Sequence, residues 1–184
     1  MKLHGRDGVR DITNYLEKPE IDAMLDAAAT CSQRDYLMLR VLWRTGVRVN
    51  ELRHIRPKDI EIGNGVLNVT TAKGGKQRRI PLDTETIAQL QDYVIEEGIG
   101  KDESIFPLSK QWIRGLVHHY GVLIGRDDVH PHTFRHSFAI NSVRHGVDIR
   151  RLQQALGHAS MSTTAVYLQF NDKDLQDVYA NVVF

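Results

Sequence analysis

The stretch VHPHTFRHSF, residues 129–138, carries three histidines and one arginine within seven residues. If Pro131 opens a helix, spacings of three and four place His132, Arg135 and His136 on one face, with Phe134 and Phe138 on another as core anchors. A histidine pair four apart is one zinc-binding spacing, but Thr133 stands where the metalloprotease motif has its glutamate, and a guanidinium between the ligands would repel the ion. Asp127 and Asp128 form a single adjacent pair, far from the converging carboxylates of a two-metal nuclease. No metal site is therefore expected, and no cofactor. An arginine beside a histidine suits a phosphate, which takes a charged, bidentate grip on its nonbridging oxygens.

Other candidates lie elsewhere in the chain. Arg48 follows the break at Gly46, and Glu51, three residues on, can hold its guanidinium; a plain surface pair would read the same way. Lys73 opens a Gly-Gly turn, so its ammonium would project from a hairpin tip. His158 follows Gly157, a residue suited to end a helix. Tyr167 comes one short helix later, where a tyrosine is more often packing than chemistry. Taken singly, each has an ordinary structural explanation.

The elements that must position these residues are mainly helical. Pro19 with Ile21, Met24, Leu25 and Ala28 fits an amphipathic helix, and RDYLMLRVLWRTG is apolar almost all round, as a buried helix would be, with Gly46 as its stop. VRVNELRHI is a short helix closed by Pro57. Asn64-Gly65 and Gly74-Gly75 are hairpin turn signals separating three β-type runs. Helical patterning then returns over 84–97, 109–124, 131–145, 148–156 and 162–169. The expectation is an α+β fold, mainly α with one small three-stranded antiparallel sheet. A final amphipathic piece places Leu175, Val178, Tyr179 and Val182 on one stripe.

At 184 residues, 41% of them apolar, the chain is sized for one domain with one sizeable core. No window approaches the roughly 18 apolar residues of a membrane span. Cys31 is the only cysteine, which excludes an internal disulfide and suits a reducing, cytoplasmic interior. The net charge of +1 argues against a nucleic-acid partner until its distribution is considered. Residues 33–58 hold six arginines and one lysine against two acids, and residues 73–79 hold four cations and no acid. Acidic stretches elsewhere, such as 172–177, mask this basic half in the total.

The blocks TGVRVNEL, TAKGGKQRRIPL, HPHTFRHSFA and LGHASMSTTAVY, in this order and spacing, resemble the tyrosine recombinases, or phage integrase family, over nearly the whole chain from about Tyr15. The resemblance implies a catalytic set of Arg48, Lys73, His132, Arg135, His158 and the nucleophile Tyr167, with Glu51 in support and His136 as a structural neighbour. It implies metal-free cleavage of double-stranded DNA through a 3′-phosphotyrosyl link. Arg48, Arg135 and His158 would hold the phosphate, Lys73 would protonate the leaving 5′-oxygen, and His132 would manage the tyrosine proton. Arg44, Arg53, Lys76, Arg78 and Arg79 are the expected DNA contacts. A topoisomerase-like nicking and rejoining activity and a non-cleaving DNA-binding module are the alternatives; the complete residue set argues against the second. Residues 1–184 are read as one catalytic domain, with 1–14 a loose lead-in and without the family's N-terminal DNA-clamping domain. Residues 172–184 would pack in cis or against a neighbouring protomer, giving a monomer in solution and assembly on DNA.

Overall fold

The structure, a computed structural model, describes residues 14–70 and 77–170. Lys73, Lys76 and the amphipathic piece at 172–184 lie outside the described residues.

Helix α1 (Lys18–Cys31) starts where Glu17 and Glu20 cap each other reciprocally, with Pro19 in its first turn, and buries Ile21, Met24, Leu25 and Ala28. Helix α2 (Gln33–Thr45) is capped by Ser32 and stopped by Gly46, whose φ of 59° is left-handed. It runs through the core, with Leu37, Met38, Leu39, Val41 and Leu42 all buried. Arg40 is buried in the same helix because Thr86, Tyr36 and Asp83 accept its donors at 2.7, 2.7 and 3.3 Å.

The segment expected as a short helix keeps one turn, α3 (Val49–Leu52), then tightens through i to i+3 bonds from His54 and Ile55. Strands β1 (Ile60–Glu61), β2 (Val66–Thr70) and β3 (Gln77–Pro81) form the expected antiparallel sheet in the order β1-β2-β3, with Leu67 opposite Ile80 and Asn68 opposite Arg79. Helices α4 (Thr84–Glu96), α5 (Lys110–Leu123), α6 (Pro131–Arg144) and α7 (Ile149–Leu156) follow, each capped by the residue before it: Asp83, Ser109, His130 and Asp148. The run expected as one last helix is a single turn, α8 (Ser162–Ala165), continued as a 3-10 segment, Val166–Phe170. No helix among the described residues is long and apolar enough to cross a membrane.

Among the described residues two apolar clusters form, where one sizeable core was expected. The larger gathers α1, α2, the sheet, α4 and α5, and takes Phe134 from α6; the smaller joins Ala139, Ile140 and Val143 of α6 to Leu152 and Leu156 of α7 and to Tyr167. Helix α6 serves both, so it ties the tyrosine to the main body.

Gly46 is where this arrangement is least tolerant. Its backbone is left-handed, and a Cβ there would collide with the ring of Phe138. Gly46→Ala is expected to cost about 2–4 kcal/mol, combining left-handed strain with overpacking. Chemical denaturation measures it, and a loss within a few tenths of a kcal/mol would contradict this account.

Candidate active site

Glu51 is the centre of the site. Its carboxylate accepts the Arg48 backbone N–H at 2.8 Å, capping α3, and the Arg48 guanidinium at 3.3 Å. Arg78 reaches it from β3 with a two-pronged grip at 2.9 and 2.7 Å. Both Glu51 and Arg78 have side chains less than a tenth exposed, at 6% and 9%. Burial alone would raise the Glu51 pKa, yet the bonds from Arg78 and the Arg48 backbone outweigh it and hold the carboxyl below its ordinary value.

Three guanidiniums also converge on the end of α7. The last carbonyls of a helix lack partners within it and carry the negative end of its dipole. Arg78 Nε donates to the Ala155 carbonyl at 2.7 Å, Arg135 to Leu156 at 2.6 Å and Arg48 to Gly157 at 3.4 Å. Gly157, at φ 62°, ends the helix and delivers His158, whose Nδ1 lies 2.9 Å from the Thr164 hydroxyl. Arg135 spans from this end back to the Gly46 carbonyl at 2.6 Å.

Arg135 is 5% exposed. Desolvation, and after it the positive charge of Arg48, lower its pKa to about 9 against the pull of Glu51. It stays a cation at neutral pH, but one short of negative charge. Among the described residues, two of its five N–H groups donate to backbone carbonyls.

Tyr167 is 3% exposed and lies within electrostatic range of the buried Arg135. The histidine at the Tyr167 hydroxyl is His136, with Nδ1 2.7 Å from the tyrosine oxygen. The expected division of labour gave the tyrosine proton to His132 and read His136 as structural; the contact adds His136 as a second candidate for that proton. His132 sits exposed in the first turn of α6, its ring 6.1 Å from that of His130. The spacing of 132, 135 and 136 showed a shared face; it carried no information about which histidine meets a tyrosine 31 residues on.

The residues expected at a DNA surface divide. Arg79 is 60% exposed and pairs with Glu61 at 2.8 Å, and Arg44 is 43% exposed with Asp83 at 3.0 Å. Arg53 is half-buried, with Nε on the Leu108 carbonyl at 3.0 Å. Arg78 is turned inward, against the expectation of a phosphate contact, because strand alternation puts it on the face of Ile80. That signal was present in the sequence: position 78 shares parity with an apolar core residue, and position 79 does not.

The sequence matches the phage integrase family over residues 14–174. The chain belongs to the phage integrase family. Among relatives of this family, it is 34% identical to a tyrosine recombinase of Pseudothermotoga lettingae over 91% of its own length and 60% of that protein's. It superposes on the crystal structure of XerA recombinase with a TM-score of 0.77 at 31% identity, covering 92% of this chain and 66% of that one. The catalytic domain of bacteriophage HP1 integrase, at 20% identity, shares the fold with a TM-score of 0.70, covering 91% of this chain and 94% of that one. The chain thus spans about three fifths of the P. lettingae recombinase but nearly all of an integrase catalytic domain.

Proposed function

We propose that this chain is the catalytic domain of a site-specific DNA recombinase that breaks and rejoins duplex DNA through Tyr167. The observation that carries the reading is the convergence of Arg48, Arg135 and the His158 turn on one helix end, with a histidine-held tyrosine beside the most buried of the cations.

In this scheme a DNA phosphate enters against Arg48, Arg135 and His158, whose donors face its nonbridging oxygens. Negative charge grows on those oxygens as phosphorus becomes five-coordinate, and fixed donors in a partly buried site stabilise it. The Tyr167 oxygen forms a bond to phosphorus while the bond to the 5′-oxygen breaks. The tyrosine proton passes to His136, the histidine already in contact with it. The 5′-oxygen takes a proton from Lys73. The reverse attack by that 5′-hydroxyl rejoins DNA, and no external energy source is needed because the phosphotyrosyl link conserves the bond. Exposed Arg44 and Arg79, with Arg53 and Lys76, would contact flanking phosphates. Such contacts orient the duplex and contribute little sequence choice. A cytoplasmic location, self-assembly on DNA through 172–184 and a monomeric state without DNA belong to this reading.

A pool of short nicked duplexes of randomised sequence, which lose the 5′-hydroxyl fragment after cleavage, tests it. The chain is expected to accumulate as a denaturant-resistant protein–DNA adduct in the presence of a chelator. Tight binding without any adduct, with or without added divalent ions, would replace the recombinase by a binding module. Supercoil relaxation without strand exchange would point to a topoisomerase-like activity.

A further inference from the structure

Arg78 joins three parts of the site that are far apart in sequence. It stands on β3, paired with Val69 of β2. Its forked grip fixes Glu51, which in turn holds both the backbone and the guanidinium of Arg48. Its Nε holds Ala155, three residues before His158. Its planar head also packs on Gly157: a Cβ there would stand 3.2 Å from Nη1 and 3.3 Å from the guanidinium carbon. Nothing in this geometry presents Arg78 to solvent.

On the recombinase reading above, we propose that Arg78 is a positioning residue of the cleavage reaction. It locks β3, the Arg48 turn and the end of α7 into one geometry, so that Arg48 and His158 meet a single phosphate. A lysine cannot replace it fully, since a point charge lacks the fork that spans both Glu51 oxygens while a third N–H reaches a carbonyl. Displacements of about 1 Å at a reacting centre are enough to slow a reaction by roughly a hundredfold.

The pH profile separates positioning from simple stabilisation. In the wild type, Glu51 is faced by Arg48 from α3, Arg78 from β3 and Arg135 from α6, and it remains ionised below its ordinary value of 4.5. Without Arg78, burial is opposed by fewer bonds, so the Glu51 pKa rises. Adduct formation by Arg78→Met should then fall off on the acid side at a higher pH than the wild type, as Glu51 takes a proton and releases Arg48.

The experiment uses the full chain, the nicked-duplex pool and temperatures at which circular dichroism shows each variant folded. Arg78→Met is expected to form adduct up to ~100-fold more slowly, with its acid limb moved upward, and Arg78→Lys to recover part of the rate with a smaller move. If Arg78→Met does not fold, the limb of Arg78→Lys decides, and an unmoved limb overturns the proposal. In a Tyr167→Phe background, loss of Arg78 should leave the salt dependence of DNA affinity unchanged. A slope smaller by about one would mark Arg78 as a phosphate contact and overturn positioning. Wild-type rate and profile in Arg78→Met overturn the proposal alone, whereas absence of adduct from the wild type overturns the recombinase reading and the proposal with it.

Discussion

Tyr167→Phe is expected to yield no covalent adduct while binding duplex DNA as the wild type does. The substitution removes one oxygen and keeps the ring, which packs with Ala139, Ile140, Val143, Leu152 and Leu156. The fold loses the bond to His136, a cost of about 1 kcal/mol to stability. On the proposed recombinase reading, the reaction loses the atom that attacks. Tyrosine has an ordinary pKa of about 10 and attacks near neutral pH only with help in losing its proton. In the proposed scheme His136 gives that help, and Phe has no proton to give. Denaturing gels on the nicked duplex read the adduct, and fluorescence anisotropy on the same duplex reads affinity. An adduct that persists in Tyr167→Phe would move the nucleophile elsewhere.

Arg135→Met should slow adduct formation by ~10²–10³-fold, the usual result of removing one preorganised donor from a developing anion. Two opposed effects act on stability. The Gly46 and Leu156 carbonyls lose their partner, at about 1–3 kcal/mol for each buried polar group left unpaired. Against this, a buried cation with too little negative charge around it is removed. The net change in melting should therefore be smaller than the two carbonyls alone imply, while the change in rate should be large. Arg135→Lys keeps the charge but cannot bridge Gly46 to Leu156 and still present a fork, so it should recover little of the rate. Single-turnover cleavage and thermal melting, measured on both variants, separate the effects. A rate for Arg135→Met within tenfold of the wild type would remove Arg135 from the phosphate grip.

Much of the fold was legible because its elements carry local signals. Gly46 and Gly157 stop helices by adopting left-handed backbone, and Asn64-Gly65 turns a hairpin; all three were readable from residue type alone. The weakest expectations fell where tertiary contacts override periodicity. α3 shrank to one turn, with the backbone tightening to i to i+3 bonds at His54 and Ile55, and 162–169 broke into an α turn and a 3-10 segment that seats Tyr167 in the small cluster.

Residue type and spacing suggested a phosphate grip around Arg135, and only the resemblance of four ordered blocks to the integrase family nominated the whole set of reacting groups. They could not say which partner each group would meet. Spacing describes one element at a time, whereas His136 meets Tyr167 across two helices, and Arg78 joins Glu51 to Ala155 across 27 and 77 residues of chain. The assignment of Arg78 shows the limit clearly. Its charge suggested an outward face, its parity with Ile80 an inward one, and the buried carboxylate of Glu51 settled the matter, because an ion taken out of water must find its counterion inside.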